Sequence, residues 1–157
     1  EAVDRLTQRF PNLIVSSIAK SLLLIDGSPD EAKLLLEDID PTEIHIASSL
    51  GTFGRLSIRA DLLEQGVQAL QIAIQKGIEL PADRAVLAQV YLTQTDFESA
   101  IRAMGRIGLT GGDLSWRLLR LRILVALGQP DEAKLLATSI NEQFPSNSEA
   151  RTILEGN

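Results

Sequence analysis

The strongest constraint on the fold of this chain is a nine-residue segment that occurs twice. The sequence Gly27-Ser-Pro-Asp-Glu-Ala-Lys-Leu-Leu returns as Gly128-Gln-Pro-Asp-Glu-Ala-Lys-Leu-Leu, 101 residues later. That separation is one residue short of three periods of about 34 residues, a period at which helical hairpins commonly repeat. We therefore expect two further copies of the same unit between these two.

Each copy should place a small residue where two antiparallel helices approach each other closely. Ala32 and Ala133 hold this position in the two clear copies, and Ala69 and Ala100 are the candidates between them. The four alanines are unevenly spaced, but each interval lies close to a period of about 34 residues. A turn residue should stand five positions before each alanine, and the four candidates are Gly27, Glu64, Thr95 and Gly128.

Composition supports helices and excludes several classes of protein. Apolar residues make up 45% of the chain but aromatic residues only 4%, a mixture that favours helix over sheet. Without cysteine and with a single histidine, neither a disulfide framework nor a zinc site with several N or S ligands can form. The longest stretch without a charged residue has 11 residues. Because a membrane-spanning helix needs about 20, we expect no membrane insertion by this segment.

The pattern of apolar residues, caps and prolines predicts a series of short helices. Gly51 and Gly54 either interrupt the helical structure before one of these helices or mark a close contact between two of them. Asp113 is a predicted N-cap. The expected helices span 12–24, 29–39, 52–65, 67–76, 83–93, 97–107, 113–127 and 130–143, followed by one that begins near Ser146.

Residues around the small positions make the chain resemble the tetratricopeptide repeat (TPR) family, whose pattern is W-x2-L-G-x2-Y, then A-x3-F, then P. Leu87-Ala88-x-x-Tyr91 and Phe53-x-x-Leu56-Ser57-x-x-Ala60 precede two of the small residues, and Pro81 and Pro145 follow twelve residues after theirs. No unit has tryptophan at the first position of the pattern. The resemblance covers four units, 12–41, 42–81, 82–112 and 113–145, with 146–157 as a terminal helix.

The resemblance implies an all-α, right-handed α-solenoid of about four helix-turn-helix repeats in a single domain, 1–157. Because the sequence opens at Glu1 without a methionine or a signal-peptide pattern, we expect a fragment or a mature product of a longer protein. In this family the first helix of each hairpin lines a concave groove. That placement implies inward positions for Arg55, Gln89 and Arg122, with Trp116 and Arg117 at the edge.

Charge is distributed unevenly along the chain, whose net charge is −6. Residues 26–43 carry seven acidic side chains against Lys33 alone, whereas residues 99–122 carry five arginines against Asp113 alone. The overall negative charge argues against binding to nucleic acid. We expect a protein partner, an acidic or amphipathic segment that binds the arginine-rich region. The alternative is internal pairing of these arginines, with Glu98 and with acids of the neighbouring hairpin.

No constellation of residues suggests catalysis, a cofactor or a metal. His45 has no nucleophile beside it, and Gly108–Asp113 lacks the lysine of a phosphate-binding loop. We therefore predict a non-catalytic protein–protein interaction module that acts as a scaffold or assembly factor. The alternative is a structural or self-association domain, for example a homodimer, of a larger multidomain protein whose activity lies outside this segment.

Two cellular locations are candidates for this protein, the bacterial envelope and the cytoplasm. The absence of cysteine, together with the resemblance to repeat domains that organise bacterial envelope machinery, favours the periplasm or another envelope compartment over the cytoplasm.

Overall fold

The structure, a computed structural model, describes residues 11–109 and 113–156, and all regular elements in these residues are helical. This confirms the predicted all-α class. One 3-10 helix, Pro41–Glu43, joins the second and third α-helices. The α-helices are α1 (Pro11–Leu24), α2 (Pro29–Leu36), α3 (Ala47–Arg59), α4 (Leu63–Gln75), α5 (Pro81–Thr93), α6 (Phe97–Met104), α7 (Leu114–Ala126), α8 (Pro130–Gln143) and α9 (Ser148–Glu155).

Four hairpin turns within the described residues share the same backbone hydrogen bond. In each, a small residue donates its N–H to the carbonyl of the residue that caps the second helix of the hairpin, at 3.0–3.1 Å. The caps recur at nearly constant intervals of about 34 residues, the period that the sequence echo predicts. The donor and cap pairs are Ala32 with Ser28, Gly66 with Leu62, Ala100 with Asp96, and Ala133 with Gln129.

The second of these turns lies three residues earlier than the sequence suggested. The small residue is Gly66 rather than Ala69, and the turn residue is Asp61, with φ +62°, rather than Glu64. Glu64 instead lies in the first turn of α4, which begins at Leu63. The sequence offers two small residues three positions apart, and the close approach of α3 and α4 lies at the glycine rather than at the alanine.

Gly54 and Gly66 allow α3 and α4 to pack closely. A Cβ atom added to Gly66 would lie 2.6 Å from Cγ1 of Ile58 and 2.8 Å from the carbonyl oxygen of Gly54. A helix break at Gly51 and Gly54 is therefore excluded, since both lie inside α3, which begins at Ala47 instead of residue 52. The alternative interpretation of these glycines, a close helix contact, is confirmed.

The chain divides into two compact units, Glu1–Asp83 and Arg84–Asn157, here the N-terminal and the C-terminal unit. The boundary lies within α5. The predicted single array over 1–157 stays a prediction. In the N-terminal unit α1 packs against α2 and α3, and α3 packs against α4. Its core is built from aliphatic side chains and Phe53, which is fully buried.

In the C-terminal unit α7 packs against α6 and α8, and α8 packs against α9. Leu121, Ile140 and Ala150 are fully buried in the core that these helices share. The terminal helix α9 packs against α8 and contributes Ala150 to this core. No helix within the described residues has the length and hydropathy needed to cross a membrane.

Candidate interaction site

Arg55, a predicted groove residue, forms an ion pair inside the N-terminal unit. Its guanidinium donates to Oδ1 of Asp83 and, at 3.3 Å, to the hydroxyl of Thr52. The Asp83 side chain is 1% exposed, and its Oδ2 accepts the N–H of Leu80 at 2.7 Å. Asp83 thereby caps the start of α5, and Gly51, which has no side chain, leaves room for the carboxylate. The Arg55 side chain is therefore occupied by contacts that link α3 to the start of α5.

Arg122, the corresponding residue of α7, pairs with the terminal helix. Its Nε and Nη2 donate to the two carboxylate oxygens of Glu149 at 2.7 and 2.8 Å, a bidentate arrangement. This hydrogen bonding raises the pKa of Arg122, against a smaller opposing effect of burial. Both side chains remain accessible to solvent.

The structure corrects the expected position of Arg117 at the edge of a partner site. This side chain is 0% exposed, and its Nη1 and Nη2 donate to Oε1 of Gln143 and Oγ of Ser139, both at 2.8 Å. Its Nε has no hydrogen-bond acceptor within the described residues. Arg117 faces inward because α7 is buried on the side that packs against α8, so a partner docking on the folded surface does not reach its guanidinium.

The two remaining predicted site residues are accessible to different degrees. Gln89 is exposed on α5, whereas Trp116 is half-buried at the start of α7. The carbonyl of Trp116 lies against Gly108, where an added Cβ atom would approach its oxygen to 2.7 Å.

Arg102 lies 3.9 Å from Glu98, one turn earlier on α6. This contact and the pair of Arg122 with Glu149 match the alternative of internal pairing for two of the five arginines in residues 99–122.

Arg120 ties the end of α6 to α7. Its Nη1 donates to the carbonyl oxygens of Gly105 and Ile107, at 2.8 and 3.1 Å. The residue is 8% exposed, and its Nε has no acceptor within the described residues. Burial lowers the pKa of Arg120, and the negative charge of Glu132 partly offsets this effect. Arg120 is thus a buried cation whose hydrogen-bond partners are neutral carbonyl groups.

A partly open pocket of about 300 Å³ lies beside Arg120 in the C-terminal unit. Its lining is mostly apolar and includes Leu135, whose surface is 74% exposed. Exposed leucines around a concave surface are typical of binding sites. The lining residues are Leu109, Arg120, Leu124, Glu132, Leu135, Leu136 and Ser139.

The sequence patterns did not predict this pocket, although one signal for it was present. Leu135 is the penultimate residue of the second copy of the repeated nonapeptide, and Leu34 holds the same place in the first copy. Both leucines are exposed, Leu34 to 66%. Because buried apolar residues recur on one helix face, a leucine that recurs outside that face is the feature of the sequence that corresponds to the exposed rim of the pocket.

A further kind of site would be a metal centre in the described part of the chain. No group of three or more potential metal ligands was found there. Asp113 caps α7 as predicted, since its Oδ1 accepts from the N–H and the hydroxyl of Ser115 at 2.8 and 2.7 Å. These bonds lower the pKa of Asp113. Most of the glycine-rich segment before it, residues 110–112, lies outside the described residues.

Comparison of the chain with protein-family models, curated proteins and solved structures gave no match in any of the three.

Proposed function

We propose that this chain is a non-catalytic interaction module of TPR-like helical repeats that binds a segment of a partner protein at the pocket between α7 and α8. The observation that carries this proposal is the half-open apolar pocket with Leu135 exposed at its rim. The four equivalent hairpin turns, which recur at intervals of about 34 residues, support the repeat architecture. The bacterial envelope is the compartment in which we propose to seek the partner.

The pocket is a better candidate than the arginine-rich face predicted from sequence. Arg55 and Arg122 are paired with acids of their own unit, and Arg117 is buried. Recruiting them would require breaking these contacts, whereas the pocket is already open. Interaction energy in protein complexes concentrates in such pockets, where a partner side chain loses its contact with water.

Site-specific photocrosslinking in the native cell tests the proposal. The photoreactive amino acid benzoylphenylalanine is placed in the full-length protein at Leu135, at the pocket, or at Gln89, which is exposed on the predicted groove. We expect a discrete crosslinked protein from position 135 that the additional change Leu109→Ser abolishes. Crosslinking from position 89 alone would show that the partner binds at the groove and not at the pocket. Absence of a crosslinked protein at both positions would overturn the function.

Self-association is the second candidate, and a different surface favours it. Leu22, Leu23 and Leu34 of the first hairpin are all exposed, Leu23 to 84%. Such leucines are costly to leave in water and are commonly covered in oligomers. Light scattering over a range of concentrations tests this candidate. We expect a dimer that the pair of changes Leu23→Ser and Leu34→Ser dissociates, and a monomer at all concentrations would exclude it.

A further inference from the structure

We propose that the pocket recognises a partner segment in which a branched aliphatic side chain lies next to a carboxylate. The aliphatic group would lie among the leucines, and the carboxylate would compensate the charge of Arg120. This inference deepens the proposed function and rests on it, because it names the chemistry of the segment that the pocket binds.

The size and lining of the pocket fit one aliphatic side chain. Its volume of about 300 Å³ is at the lower end of ligand pockets, so it suits a short group rather than a large ligand. Leu124 and Leu136 are buried and form its inner surface, while Leu109 and Leu135 are exposed at its rim. A leucine-like side chain placed here would remove both rim leucines from water.

The charge of Arg120 gives the pocket its preference for an acid. Burial of a guanidinium costs less free energy when its charge is compensated, and carbonyl groups compensate it less well than a carboxylate does. Arg120 donates to two carbonyl oxygens, and its Nε lacks an acceptor within the described residues. Glu132, on the pocket rim, attracts Arg120 and would repel an incoming carboxylate. Removing the charge of Glu132 should therefore strengthen the binding of an acid.

The charge of the whole unit agrees with this preference. The C-terminal unit has eight basic and eight acidic residues, so the net charge of −6 lies entirely in the N-terminal unit. An acidic segment would meet repulsion at the N-terminal unit and none on average at the C-terminal unit. An acidic partner is thus directed to the unit that contains the pocket.

A pair of small probes separates the apolar part of this recognition from the charged part. 4-Methylpentanoate has the branched end of a leucine and a carboxylate, and 4-methylpentanamide has the same shape without the charge. Each is titrated to about 50 mM into the full-length protein while amide shifts are followed by NMR, because ligands of this size bind with Kd of about 1–20 mM. We expect saturable shifts at Arg120 and Leu135, with the acid binding about 5–10-fold more tightly than the amide.

Three variants complete the experiment. Leu135→Ser should weaken both probes, whereas Leu34→Ser, the same position of the repeated motif in the N-terminal unit, should leave their binding unchanged. Glu132→Gln should strengthen binding of the acid about two- to fivefold without affecting the amide. Equal affinity of acid and amide, or no saturable shift at the pocket, would overturn the inference.

The two experiments fail in different ways. If a protein is crosslinked from position 135 but the acid is not preferred over the amide, the proposed function holds. The carboxylate is then excluded from the chemistry that the pocket recognises. Preference for the acid without any crosslinked protein would instead assign the pocket to a small carboxylate and overturn the proposed function.

Discussion

The two units contain the same ion pair at equivalent repeat positions, but in different surroundings. Arg122 follows Arg55, and Glu149 follows Asp83, at nearly the same interval, which is two periods of about 34 residues. In each unit an arginine of one helix pairs with an acid in the first turn of a later helix. The acid is 1% exposed in the N-terminal unit and 30% exposed in the C-terminal unit.

A single residue one helical turn before each arginine accounts for this difference. Gly51 precedes Arg55 by four residues and leaves space that the carboxylate of Asp83 fills. At the same place before Arg122 stands Leu118, whose side chain packs against the core of the C-terminal unit. A leucine side chain is much larger than the hydrogen atom of glycine, and we attribute the greater exposure of the second pair to this difference. The repeat position thus specifies the pairing, and the neighbouring side chain decides how deeply the pair is buried.

Removing the acid of each pair should have very different effects on stability. Asp83→Ala leaves Arg55 without its partner in a mostly buried site and also removes the acceptor for the N–H of Leu80. We expect a loss of about 3 kcal/mol in the free energy of unfolding. Glu149→Ala breaks an accessible pair and should cost about 0–1 kcal/mol. Urea denaturation of the two variants measures both values.

The two measured losses test whether burial of the acid distinguishes the two ion pairs. Equal losses would show that burial does not distinguish the two pairs. A second variant, Gly51→Ala, should displace the carboxylate of Asp83 and destabilise the protein in the same direction. If that variant is as stable as the parent, glycine at position 51 is not what admits the acid.

Two arginines of α7 sharpen the distinction between structural and accessible cations. Arg117→Ala removes a fully buried side chain together with its bonds to Ser139 and Gln143, and should cost about 2–3 kcal/mol. Arg122→Ala should cost about 0–1 kcal/mol because its guanidinium can be hydrated. Thermal unfolding of the two single variants separates them. Early melting of Arg122→Ala but not of Arg117→Ala would contradict the assignment.

Much of the fold could be predicted because hairpin repeats depend on local features. The echo between Gly27 and Gly128 gave the period, and most helix ends followed from prolines and caps, so α8 was predicted with its observed bounds. The turn before α4 was misplaced because two small residues, Gly66 and Ala69, lie three positions apart and small size alone does not distinguish them.

The candidate site was harder to predict because it depends on which way side chains face. Clustered charge near Trp116 suggested an accessible basic surface, but Arg117 and Arg120 are on the buried side of α7. A sequence shows that arginines share a helix face, whereas the neighbours of that face follow from tertiary packing. The pocket likewise combines residues from a loop, α7 and α8 that no single periodicity links.

The smallest expected difference between two compared variants concerns the hairpin turns, for which two glycines of the N-terminal unit form a pair. Gly66→Ala would bring a methyl group within 2.8 Å of the carbonyl oxygen of Gly54, a backbone atom that can move only with its helix. The higher helix propensity of alanine offsets part of this cost, so we expect a net loss of about 1–2 kcal/mol. Gly27→Ala meets no atom within 4 Å and should leave stability unchanged to within about 0.5 kcal/mol. Denaturation of both variants compares the two sites in one protein, and an equal response would show that Gly66 is not the close-contact position of the second hairpin.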